Sequence, residues 1–216
     1  MNQQLSINNA FNTLRQLYDE GVALFDSAKF FFDIVGLKNN LTVFAFQKSL
    51  RNHGWPFIYL QGKFFYPAPR DSKAGFIAIS FHDNERTGPY LLGGIIESQP
   101  NAKLNVWQIN STARRPRYEG LFDVVTDGPL YMHTISTAGQ AKEFLAGVQR
   151  VVHFEIPLTT ITSSAYLHDI VNGVANLRTG DDKVLRDLLK DNLAVLHSTG
   201  NDDYSEEVEE IEEEVT

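Results

Sequence analysis

The chain of 216 residues contains no cysteine. This excludes a disulfide framework, a thiolate metal site and a thiol nucleophile. Long apolar runs are missing as well. The densest, from Phe30 to Leu37, is cut by Asp33 and falls far short of the roughly 18 apolar residues of a membrane span. The N-terminal residues have no basic stretch leading into an apolar one, so they do not read as a secretory signal. There is no P-loop, no HExxH, no nucleophile elbow, and no RRM, KH or zinc-finger signature. Internal repeats and Pro- or Ser-rich linkers are absent too. These absences point to a soluble, cytoplasmic protein with no membrane partner and no cofactor.

What is present is an ordinary globular composition with an uneven charge. Hydrophobic residues make up 43% and charged residues 21%, enough for a large core without staples. The formal net charge is −8, yet residues 200–216 hold nine acids and no base. Residues 1–199 keep 18 acids against all 19 bases, a net charge of +1. The acidity therefore belongs to the terminal segment.

Hydrophobic periodicity divides residues 1–199 into helix, sheet and helix, read as a single α+β globular domain. Residues 1–53 read as helical. Phe11, Leu14, Tyr18, Val22, Phe25, Ala28, Phe32 and Val35 recur at steps of three and four, and Gly36 is the expected stop. Asn40 is placed as the cap of a second helix carrying Leu41, Phe44 and Leu50. From 55 to 135 the period changes to two. Residues 57–60 and 63–66 are read as a hairpin turning at Gln61 and Gly62. Residues 75–81, 90–97 and 103–109 are further strands, with Gly93 and Gly94 marking a bulge or a close backbone contact. Residues 121–126 and 130–135 form a hairpin across Asp127 and Gly128. Turns this short demand antiparallel pairing, since a parallel crossover takes roughly a dozen residues. Residues 137–198 are mainly helical, with one strand. Thr137 caps a helix carrying Ala141, Phe144, Leu145 and Val148. The strand, 151–156, follows a helix and is open to parallel pairing. Two more helices follow, one through Leu167, Ile170, Val171, Val174 and Leu177 to Gly180, and one capped by Asp181 with Leu185, Leu189 and Leu196. The expected fold is α+β, a central antiparallel meander flanked by N-terminal and C-terminal helices, with a disordered acidic tail over 200–216.

The middle of the chain is basic. Residues 48–117 hold ten bases against four acids, interleaved with aromatic residues. Basic sheets with exposed rings bind single-stranded nucleic acid, because bases stack on the rings while cations neutralise phosphates. Lys63, Arg70, Lys73, Tyr59 and Tyr66 are the candidates on the strands, although half of any strand's rings must face the core. Arg114, Arg115 and Arg117 crowd around Pro116, which bars regular structure, so they read as an exposed loop suited to phosphate or carboxylate. A solvated loop that only aids solubility fits the same residues.

The tail is patterned as well as acidic. Tyr204, Val208, Ile211 and Val215 share one helical face. Alone, that helix suffers like-charge pairs at i,i+4 and acids at its C-terminal end. A basic groove with an apolar floor relieves both problems. The tail is therefore expected either to dock on this protein's own basic sheet or to recruit a basic protein partner, unless it serves solubility alone.

The six histidines are scattered and show no metal-ligand spacing. No metal site is predicted. The nearest to one is His153 with Glu155, which share a strand face, with His133 on a strand that can lie alongside. An enzyme would need His133, His153, Glu155, Asp123 and His82 to converge. The leading expectation is a non-enzymatic binding protein that engages an anionic partner, nucleic acid foremost, with the tail modulating access or recruiting a partner. The alternative is a regulatory adaptor that oligomerises, as a homodimer for instance, through its N-terminal helices, because Phe30, Phe31 and Phe32 span more of a helix than one core face buries. A metal-dependent enzyme acting through histidine and carboxylate is the second alternative.

Overall fold

The computed structural model describes residues 2–48, 56–81, 89–112 and 118–190. Helix α1 (Asn2–Ile34) is followed by strands β1 (Asn39–Lys48), β2 (Pro56–Tyr66), β3 (Lys73–Ser80) and β4 (Tyr90–Ser98). Then come a short helix α2 (Val106–Asn110), strands β5 (Phe122–Asp127) and β6 (Leu130–Ile135), and a single turn α3 (Thr137–Gln140). Strand β7 (Val148–Pro157) and helices α4 (Ser164–Thr179) and α5 (Lys183–Leu189) complete the order. The seven strands form one sheet in the order β1-β2-β3-β4-β7-β6-β5. Every pairing is antiparallel. Two meanders, β1 to β4 and β5 to β7, thus meet along the β4–β7 seam. The fold is α+β, with helices before and after the strands, as the periodicity implies.

Both faces of the sheet are covered at its centre. On the first face Ile77, Ile79, Leu91, Val152, Phe154 and Ile156 pack under α1, α4 and α5. Helix α1 contributes Phe25, Ala28 and Phe32 at the expected steps, and the Phe32 ring stacks on Phe65 at 3.9 Å. It stops where glycine allows a left-handed residue, Gly36 at φ 86°. Helix α4 starts on Ser163, whose hydroxyl accepts from the Tyr166 amide, and ends at Gly180. The missing side chain of Gly173 lets Leu185 of α5 seat against α4. On the second face Leu60, Phe64, Phe76, Leu92 and Val151 pack against Leu104, Val106 and Ile109 around α2.

Several expected elements differ. Residues from Asn40 form β1 and not a second helix. Strand β2 runs unbroken through Gln61 and Gly62, where a turn was expected. A Cβ on Gly62 would lie 3.1 Å from Ile109, so glycine there serves the docking of α2 rather than a turn. Residues 103–109 form no strand. Asn105 and Gln108 make a reciprocal capping box that starts α2. The helix expected from Thr137 to Val148 is one turn of α3, capped by Ser136, and a short 3-10 turn at Glu143–Leu145. Strand β7 is antiparallel to both neighbours, because α3 is too short to act as a crossover. The hairpin across Asp127 and Gly128 forms as expected, from Phe122 opposite Ile135 to Asp127 opposite Leu130. No helix among the described residues is long and apolar enough to cross a membrane.

Candidate functional site

Two places on the second face gather the polar side chains. The first follows from strand alternation. Val151, His153 and Glu155 point to one face of β7, and the register sets His133 opposite Val151 and Tyr131 opposite His153. His153 Nε2 lies 3.0 Å from Glu155 Oε1, and both side chains are 1% exposed. The His133 ring sits 4.8 Å from that of His153. Phe122 closes one side edge-on at 5.4 Å, and Tyr131 lies 5.2 Å from His153.

Three of the five residues an active site would need therefore converge. Asp123 does not, for it is exposed on β5 and points to the face opposite Phe122 and His133. His82 lies outside the described residues. The cluster is sealed from solvent, and among the described residues no group of three His, Asp or Glu is arranged to hold a metal ion. Within it His153 and Glu155 are hydrogen-bonded to each other. Surface His168 lies 3.4 Å from Asp169 on α4, against the ring of Phe31.

The second place is a groove between residues 99–105, Trp107 of α2 and the turn at 143–147. Its walls are tied together. The Gln108 side-chain amide donates to Lys103 O at 2.9 Å and to Phe144 O at 3.0 Å. The Gln99 amide donates to Gly147 O at 2.7 Å. Trp107 is 38% exposed at the rim, next to the exposed residues Lys103, Asn101 and Glu143. Arg70 abuts the groove, donating to Ala102 O at 2.8 Å while its guanidinium lies over the Tyr66 ring.

The cations expected on the sheet divide between its faces. Tyr66 is on the second face of β2, with the Arg70 guanidinium over its ring. Lys63 points to the first face, 3.8 Å from Asp26 and over the Phe25 ring. Lys73 pairs with Glu97 at 3.2 Å, and Arg150 approaches the same carboxylate. Tyr59 belongs to β2, but its side chain is outside the described residues. So are Arg114, Arg115 and Arg117 and the tail residues Tyr204, Val208, Ile211 and Val215. Trp107 lies on α2 and Lys103 just before it, where the alternation of residues 103–109 predicts a strand. The spacing Asn105-x-x-Gln108, a capping-box pattern, is the signal that places Trp107 on a helix.

Comparisons with protein-family models, curated proteins and solved structures find no match for this chain. The apolar residues left on the surface then stand out. Phe30 and Ile34 of α1 are each 61% exposed and sit one helical turn apart.

Proposed function

We propose that the protein is a non-enzymatic binding protein that engages an anionic partner, single-stranded nucleic acid foremost, through the groove at Trp107. The observation that carries this reading is an exposed indole beside Lys103, backed by Arg70 on Tyr66, on walls fixed by hydrogen bonds. An aromatic face accepts a base of any sequence and nearby cations neutralise phosphate. The covered faces of the sheet argue against the broad open platform expected from the sequence, so the contact is local. Arg114, Arg115 and Arg117 follow α2 directly in the chain and extend the same basic region in sequence. The acidic tail is assigned control of access or recruitment of a basic partner. The test is binding of single-stranded DNA and RNA by the full chain at several salt concentrations. Affinity should fall with salt, and Trp107→Ala should cost about 1–3 kcal/mol of binding per stacked base. No binding at low salt overturns the reading.

A second reading, an adaptor that associates through α1, is favoured by the outward ridge of Phe30 and Ile34. Contiguous exposed apolar patches larger than about a few hundred Å² mark interaction sites on soluble proteins. Light scattering of a Phe30→Glu, Ile34→Glu variant tests it. Loss of an assembly formed by the unmodified chain supports it, and an unchanged mass counts against it.

A further inference from the structure

The turn between β5 and β6 carries a chemistry of its own. The register pairs Asp127 with Leu130, which leaves Gly128 and Pro129 as a two-residue turn. Gly128 takes a left-handed φ of 59°, which glycine allows. Asp127-Gly128 is the one Asp-Gly junction in the sequence. At such a junction no side chain shields the glycine nitrogen, which can attack the aspartate Cγ. The N–Cγ bond forms, and one carboxyl oxygen leaves as water with the carboxyl proton and the amide proton. The product is a five-membered succinimide. Water then opens the ring at either carbonyl. One opening restores aspartate, and the other gives isoaspartate, whose main chain runs through Cβ and Cγ.

Arg186 of α5 holds that carboxyl. Its Nη2 donates to Oδ2 at 2.6 Å, and its Nη1 donates to Oδ1 and to the main-chain oxygen of Asp127, each at 3.1 Å. Both carboxyl oxygens are engaged, and the group is tied to the side of its own carbonyl oxygen. Asp182 fixes the guanidinium from within α5, at 2.8 Å. A Cβ on residue 128 would lie 3.2 Å from Nη1, so the guanidinium also sits against the glycine. Hydrogen bonding from Arg186, then its charge, holds the Asp127 carboxyl below the usual carboxylate range. An ionised carboxylate is a poor target for the nitrogen, because its oxygen must gain a proton to leave as water. Water itself has access, since the Asp127 side chain is 54% exposed.

We propose that Asp127 is a site of spontaneous isomerisation to isoaspartate, held latent by the grip of Arg186. Release of the guanidinium frees the carboxyl to swing onto the Gly128 nitrogen. The product adds a carbon to the main chain at a turn whose length sets the hairpin register. Its displaced carboxylate no longer fits the Arg186 fork, so the modification unfastens α5 from the hairpin. Neither the groove at Trp107 nor the ridge of α1 includes these residues.

The test is incubation of the full chain in heavy-oxygen water at neutral pH, below its melting temperature. Each passage through the ring leaves a heavy oxygen on residue 127, read by mass spectrometry of the peptide that contains it. Chromatography of the same peptide separates isoaspartate from aspartate. Arg186→Gln should raise both signals several-fold over the unmodified chain, toward the rate of the chain unfolded in urea. Asp26-Ser27 and Asp71-Ser72 are internal references, since they react by the same route and pair with Lys63 and Arg178 instead. Their rates should not change. Gly93→Ala, which strains the core away from the clasp, should leave residue 127 as slow as in the unmodified chain. Four results overturn the proposal. They are no rise at residue 127 in Arg186→Gln, an equal rise at residues 26 and 71, a rise as large in Gly93→Ala, and an unmodified chain that reacts as fast as the unfolded one.

Discussion

Gly93 stands in the middle of β4, where a Cβ would fall into the Phe154 ring on β7. The aromatic side chain occupies the space that glycine leaves, and it is fully buried there. Gly21 is the contrasting case. It lies within α1, and a Cβ there would meet Ile79 at 3.4 Å and Phe81 at 3.6 Å, both ordinary contacts. One substitution should thus act with opposite signs at the two positions. Gly93→Ala overpacks a tight core and should destabilise by about 1–3 kcal/mol. Gly21→Ala improves helix propensity at no steric cost and should stabilise by up to about 1 kcal/mol. Urea midpoints with unchanged slopes measure both. A neutral Gly93→Ala would mean that the Phe154 ring moves aside freely. The sequence pattern pointed to a close contact at Gly93 and Gly94 but not to its partner, because the β4–β7 pairing joins residues some sixty apart in the chain.

The elements were legible where a local signal stood alone. The stripe of Phe25, Ala28 and Phe32, the closing glycines Gly36 and Gly180, and the turn at Asp127 and Gly128 all read correctly. Elements went wrong where two periods fitted the same letters. Leu41 and Phe44 fit a helical step, but Leu41, Val43 and Ala45 alternate in a strand, and pairing with β2 decides it. The short α2 was masked by alternation in Lys103 to Ile109, and only its cap exposed it. Half of the buried cluster was legible, since His-x-Glu in a strand must share a face, whereas the approach of His133 depended on the β6–β7 register. The clasp between α5 and the β5–β6 hairpin depended on tertiary structure altogether. Arg186 binds Asp127 Oδ2 at 2.6 Å and Asp182 Oδ2 at 2.8 Å. Hydrogen bonding from Arg186, then its charge, holds the Asp127 carboxyl below the usual carboxylate range. A carboxyl lowered on folding contributes stability above its unfolded value near pH 4, and that contribution is lost as pH falls through the lowered value. Arg186→Gln should therefore be less stable than the unmodified chain at pH 5–7, by the small margin of a solvent-exposed pair. The difference should vanish at lower pH. Denaturation midpoints of the two proteins across the acid range check this, and a gap that does not narrow as pH falls rules out the clasp as its source.

At the scale of the molecule the decisive quantity is where the charge sits. A net charge of −8 suggests a chain that repels polyanions, but residues 1–199 alone carry +1. Within the body the bases are largely neutralised on the first face, as Lys63 with Asp26, Lys73 with Glu97 and Arg178 with Asp71. The cations at the groove, Lys103 and Arg70, belong to none of those pairs. If the nine acids of 200–216 compete with an anionic ligand for these cations, their removal should act on binding and not on folding. The variant lacking 200–216 should bind single-stranded DNA more tightly than the full chain, most visibly at low salt, with both affinities converging as salt screens the tail. Thermal midpoints of the two proteins should coincide when the tail acts on binding alone. Equal affinities at low salt would remove the tail from competition and leave recruitment of a separate basic partner as its role. A lowered thermal midpoint would instead show that the tail is part of the folded body, and the gain in affinity would then have to be separated from partial unfolding by measuring both at one temperature.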